Sequence, residues 1–143
     1  MDWLHTVNVL IIDDEPEIRE MLQRMLERRS CQVFTAADGV EGLKICREIG
    51  IHVVLADIMM PNMDGLEFLK QVHSVNPKSA VVMVTGHSTV GRCIKAIEYG
   101  ACGYLLKPVS IDDIVKAIGL ALEANAHKAE MLEKALHQAT HSV

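Results

Sequence analysis

Aromatic residues are scarce in this chain: only 3% of its 143 residues are Phe, Trp or Tyr. Its core must therefore be built from Val, Ile, Leu, Met and Ala. Positive charge is also in short supply, with 14 Lys and Arg against 19 Asp and Glu, for a formal net charge of −5. A nucleic-acid surface is usually basic, so direct nucleic-acid binding is not expected. The 4 cysteines, Cys31, Cys46, Cys93 and Cys102, include no C-x-x-C pair, which removes the commonest redox motif. No stretch approaches the roughly 18–20 apolar residues that span a bilayer. The N-terminus "MDWLHTVNVLIIDDEPE" is acidic where a signal peptide is basic, and its apolar run is short. These absences together predict a cytoplasmic protein, off the membrane, with buried reduced thiols.

What is present is one domain's worth of chain with an alternating pattern. Val7–Ile12 is a short β-branched run. Across Glu15–Arg28, Ile18, Met21, Leu22, Met25 and Leu26 fall at amphipathic helical spacing, and Pro16 suits a first turn. Cys31–Ala36 reads as a strand and Gly39–Ile49 as a helix, with Asp38 as N-cap and Gly50 as stop. His52–Ala56 is a strand, Asp64–Val75 a helix, Ala80–Thr85 a strand. Ser88–Tyr99 reads as a helix capped by Ser88 and ended by Gly100, Cys102–Leu106 as a strand, and Asp112 to about Ala139 as a last helix. Strands alternating with helices predict βαβ units and a parallel sheet covered on both faces. Right-handed crossovers then bring every strand's C-terminal end to one edge, where ligand sites of such sheets form.

The residues that end the strands carry chemistry. "IIDDE" ends the first at Asp13 and Asp14, "VVLAD" the third at Asp57, "VMVTGHS" the fourth at Thr85, and "YLLKPVS" the fifth at Lys107. The second strand contributes neither acid nor amine. An ionised carboxylate at the margin of a core is costly unless paired. Lys107 offsets one charge, and the remainder invites a hard divalent cation; Mg²⁺ suits carboxylates, waters and a phosphate. An aspartate beside such an ion can attack phosphorus, with ammonium, hydroxyl and backbone N–H groups stabilising the phosphoryl oxygens. Taken singly, each residue has a plainer role. Asp13–Asp14 and Asp57 could cap turns, Thr85 could cap a helix, and Lys107 could be a surface lysine.

The segments "VLIIDDEPEIRE", "VVLADIMMPNMDGLEFL", "VVMVTGHS" and "GYLLKPVS", in that order and spacing, resemble the receiver domain of two-component response regulators. The likeness runs from about Val7 to Glu123. It implies a doubly wound α/β fold with a five-stranded parallel sheet of flavodoxin-like order 2-1-3-4-5 and an extended C-terminal helix. It implies that Asp57 is the phosphoacceptor and that Mg²⁺ is held by Asp14, Asp57 and the Met59 carbonyl, with Asp13 on a metal-bound water. Thr85 matches the switch hydroxyl and Tyr104 the aromatic that follows it. Lys107 matches the lysine on the phosphoryl oxygen, and the Lys107–Pro108 bond is expected to be cis. A histidine kinase or histidine phosphotransfer protein would be the donor, and the face of helix four, strand five and helix five would carry the output. Ala101-Cys102-Gly103 stands where the family often places an acidic pair before Tyr104, which speaks against a winged-helix-regulator style of dimer.

Other classes fit less well. A haloacid-dehalogenase-like phosphatase needs Asp-x-Asp after strand one, where this chain has Asp-Asp-Glu. A flavin module needs a hydroxyl- and glycine-rich phosphate loop at the same place. A non-phosphorylated scaffold would not need the full acid set. Met59 and His87 occupy positions that in the family influence water access to the phosphoryl group. His137 and His141 share a helical face but lack a third metal ligand.

The last helix outruns a minimal receiver. Val115, Ile118, Leu122, Asn125, Ala129, Leu132, Leu136 and Ala139 recur at heptad spacing. A helix over 112–139 would be about 42 Å long, more than the sheet can cover. The expected division is 1–123 for the receiver and 124–143 for a helical extension. That extension is either a coiled-coil homodimer element or linker to an output module beyond residue 143, or a frayed tail. Asn125 at a seam position could set the register of such a coil.

Overall fold

The computed structural model describes residues 2–86 and 89–141. Its elements are β1 (Asn8–Ile12), α1 (Pro16–Glu27), β2 (Gln32–Ala36), α2 (Gly39–Glu48), β3 (Val53–Ala56), α3 (Gly65–Val75), β4 (Ala80–Thr85), α4 (Val90–Glu98), β5 (Gly103–Leu106) and α5 (Ile111–His141). A 3-10 turn at Asp2–Thr6 precedes them. Sequence periodicity did not foresee it, because so short a turn has no periodic face. The sheet is 5-stranded and parallel in the order β2-β1-β3-β4-β5, as the alternating pattern and the family resemblance implied.

The strands are apolar on both sides because both sides are covered. Val9, Ile11, Val53, Leu55, Val82 and Val84 face α1 and α5, joining Leu22, Leu26, Ile114 and Ile118. The alternate residues Leu10, Ile12, Val54, Ala56, Val81 and Met83 face α2, α3 and α4, joining Leu43, Phe68, Leu69 and Ala96. A period of two within each strand thus feeds two cores at once.

Caps set where the helices begin. Asp38 and Asp64 accept from the Glu41 and Glu67 backbone N–H groups, both at 2.9 Å. Helix α4 starts later than its apolar pattern suggests: its cap is Thr89, which accepts from the Arg92 N–H at 3.2 Å. Ser88, the expected cap, lies outside the described residues, as do His87 and the side chain of His141. Gly100 follows α4 with φ +95°, a conformation that costs glycine little. Cys31 and Cys46 are buried, and burial pushes the Cys46 thiol up to about 11 and the Cys31 thiol above its ordinary value. Cys93 and Cys102 are only half-buried, so the expectation of uniformly buried thiols holds for two of the cysteines. No helix among the described residues is long and apolar enough to cross a membrane.

Candidate functional site at the C-terminal edge of the sheet

The ladder itself places the acids. Beyond the last residues of β1 and β3, the Asp13 N–H donates to the Ala36 carbonyl at 3.2 Å and the Asp57 N–H to the Ile12 carbonyl at 3.0 Å. Both carboxylates are thereby fixed one step past the hydrophobic strands. Asp13 is 2% exposed and Asp57 5%. Asp14, one residue further, is solvent-exposed.

One carboxylate oxygen from each of Asp13, Asp14 and Asp57 lies within 4.8 Å of the others. Lys107 closes the group. Its Nζ donates to Asp13 Oδ2 at 2.6 Å and to Asp57 Oδ2 at 2.9 Å. The lysine reaches this point because β5 pairs with β4 through Thr85 and Leu106, and the Lys107 N–H continues that ladder to the Thr85 carbonyl at 2.9 Å. The Lys107–Pro108 bond is cis. Burial would push the Lys107 ammonium down, but hydrogen bonds to Asp13 and Asp57, and their charges, outweigh it and hold its pKa above 10.5.

The other carboxylate oxygens of Asp13 and Asp57 have local partners. Asp13 Oδ1 accepts from the Glu15 N–H at 3.0 Å, the turn-capping role that its position after a strand allows, and Arg19 Nη1 donates to the Asp13 carbonyl at 2.7 Å. Asp57 Oδ1 accepts from the Met59 N–H at 3.2 Å. The loop after Met59 turns through Asn62 at φ 68°, and the Asn62 amide donates to Asp38 Oδ2 at 3.0 Å. Gly65 completes the loop: its N–H donates to the Ile58 carbonyl at 2.8 Å. A Cβ at Gly65 would collide with the Asp57 carbonyl oxygen, so the Asp64-Gly65 pair is what lets α3 start against the Asp57 backbone.

Thr85 is fully buried at the end of β4. Tyr104 packs against the core cluster on the α2–α4 side, and its hydroxyl is buried with no hydrogen-bond partner among the described residues. Sequence reasoning missed Arg92, whose guanidinium nitrogen Nη1 contacts the Met59 sulfur. Those residues are 33 apart in the chain, and no motif links them.

The donor set fits a hard cation. It consists of carboxylate oxygens close enough to share one ion, with no sulfur or imidazole among them.

Comparison with known proteins agrees with this geometry. Residues 9–119 match the family described as "Response regulator receiver domain", and the chain belongs to it. Members are the phosphoacceptor domains of two-component systems and generally use Mg²⁺. The regulatory protein AtoC of Escherichia coli is 33% identical over 131 residues, 92% of this chain and 28% of that protein. The DNA-binding transcriptional regulator NtrC of Escherichia coli is 36% identical over 114 residues, 80% of this chain and 24% of that protein. The chain thus spans about a quarter of each of these relatives. Among solved structures, a CheY-like receiver domain protein from Methanospirillum hungatei superimposes with a TM-score of 0.80 at 30% identity, covering 85% of this chain and 98% of that one. A Burkholderia pseudomallei response regulator, solved with a phosphorylated aspartic acid and a calcium ion, gives 0.75 at 29% identity over 92% of this chain and 74% of its own.

Proposed function

We propose that this receiver accepts a phosphoryl group on Asp57 from a phosphohistidine of a kinase or histidine phosphotransfer protein. The observation that carries the reading is the Lys107 ammonium held between Asp13 and Asp57 beside a third carboxylate. Asp13, Asp14, Asp57 and the Met59 backbone carbonyl would hold Mg²⁺, which supplies charge neutralisation to the phosphoryl oxygens when bound.

The protein's own groups then divide the work. A carboxylate oxygen of Asp57 attacks phosphorus, and the bond to the donor imidazole nitrogen breaks with its electron pair leaving on that nitrogen. Asp57 loses its negative charge on becoming an acyl phosphate, so Lys107 transfers a hydrogen bond from Asp57 to a phosphoryl oxygen. The buried Thr85 hydroxyl turns to the same group. That rearrangement draws on β4 and β5 together, which supports Tyr104 and the face of α4, β5 and α5 as the switched surface. Catalysis is limited to self-phosphorylation from the donor and loss of the phosphoryl group.

Acetyl phosphate with Mg²⁺ tests this. Intact mass should rise by one phosphoryl group in the wild type and stay unchanged in Asp57→Asn. Labelling that survives the substitution would move the acceptor elsewhere.

The second half of α5 supports a role for the extension at 124–143 as a coil between two copies or a linker to an output module. Met131, Leu132 and Leu136 are 58%, 62% and 59% exposed on an unbroken helix of 31 residues. Asn125 does not belong to that seam: its side-chain amide donates to the Lys78 carbonyl of its own chain at 2.7 Å. Sedimentation of the full chain against one cut after Glu123 decides this. An equal number of chains per particle would discard the homodimer.

A further inference from the structure

Arg92 sits in the first turn of α4, and the Thr89 cap uses only its backbone N–H. The side chain instead reaches the loop after β3 and rests on the Met59 sulfur. A thioether is a weak acceptor, whereas a guanidinium carries five donors in a planar fork matched to phosphate oxygens. The ion pairs among the described residues are Arg29–Asp112, Lys107–Asp13, Lys107–Asp57 and Lys134–Glu130, so Arg92 is committed to no carboxylate. Its resting place adjoins the nucleophile. The Met59 N–H is bonded to Asp57 Oδ1, and Met59 is 44% exposed where Asp57 is 5% exposed. A permanent cation with one poor partner among the described residues therefore rests on the residue whose backbone N–H holds Asp57.

We propose that Arg92 is a substrate-binding residue of this site: its guanidinium leaves the Met59 sulfur and donates to the phosphoryl oxygens of the incoming donor. This rests on the reading of Asp57 as phosphoacceptor. With an acyl phosphate, Asp57 attacks phosphorus, the bridging P–O bond breaks, and its electron pair departs on the acyl carboxylate. Arg92 gives up no proton in that step. Its contribution is to hold and orient the dianion, adding a cation to the one that Lys107 supplies.

The test measures initial rates of Asp57 phosphorylation against acetyl phosphate concentration at fixed Mg²⁺, in the full chain, for wild type, R92A and R92K. Loss of a charge-assisted contact should raise the half-saturating concentration of R92A about tenfold, with the maximal rate changed by less than about threefold. R92K keeps the charge without the fork and should recover part of the loss. An R92A half-saturating concentration within about twofold of wild type, with Asp57 still labelled, overturns the role of Arg92 and leaves the phosphoacceptor reading intact. Equal losses of melting temperature and maximal rate in R92A and R92K would show a structural role and overturn it too. A wild-type protein that takes no phosphoryl group on Asp57 overturns both.

Discussion

The two edges of the sheet satisfy their polar groups by opposite means. At the N-terminal ends of the strands the groups are neutral and mostly answered by backbone. The Asn8 amide donates to the Gly50 carbonyl at 2.9 Å, the Ser79 hydroxyl to the Ile51 carbonyl at 2.7 Å, and the Asn8 N–H to His52 Nδ1 at 2.9 Å. At the C-terminal ends the groups are charged and answer one another, with Lys107 set among Asp13, Asp14 and Asp57. A closed neutral network can only hold shape. A cluster with one ammonium for three carboxylates still has room for positive charge, so its stability should respond to what binds there. That responsiveness separates a site from a seam.

The sharpest way to break the contrast is Asp57→Asn. It should abolish phosphorylation by acetyl phosphate, since an amide does not attack phosphorus, and intact mass reads the loss. Lys107→Met comes next. It leaves two carboxylates with side-chain exposures of 3% and 6% without their cation, at a cost of about 3 kcal/mol in urea unfolding without metal. Millimolar Mg²⁺ should restore most of it; a loss indifferent to Mg²⁺ would refute the shared role of the two cations. Ser79→Ala, at the opposite edge, strands a buried carbonyl and should cost about 1–2 kcal/mol, equally with and without Mg²⁺.

Asp14→Asn should act in the other direction. It removes an exposed charge from the cluster, so the melting temperature without metal should rise, while the Mg²⁺-induced rise expected of the wild type should shrink. A full Mg²⁺ response in that variant would exclude Asp14 as a ligand. The smallest effect concerns pH. Folded Lys107 holds its proton above the ordinary value of 10.5. The stability it contributes is therefore complete below pH 10.5 and is lost as pH rises through the higher folded value. Wild type and Lys107→Met should converge in stability over that alkaline range, and a constant gap would contradict it.

Much of the site could be read in the chain because parallel crossovers leave little freedom. Once β1, β3 and β5 were recognised, Asp13, Asp57 and Lys107 had to meet at one edge. The pairing within that edge was another matter. Lys107 binds Asp13 as closely as Asp57, since strand register and side-chain length decide that, and neither appears in a motif. Asn125 shows the limit for helices. Its spacing fits a seam, but spacing does not say whether the facing surface belongs to another chain or to the Lys78 carbonyl of its own.

Order of residues alone settled the strand alternation, the parallel sheet and the identity of the acids and the lysine, because burial on both faces and right-handed crossovers are consequences of local pattern. Three-dimensional packing alone decided the rest: which oxygens Lys107 bridges, where α5 leaves the core, and that Arg92 lies against Met59. These depend on distances between segments far apart in the chain, and such distances exist only once the cores on both faces of the sheet have closed.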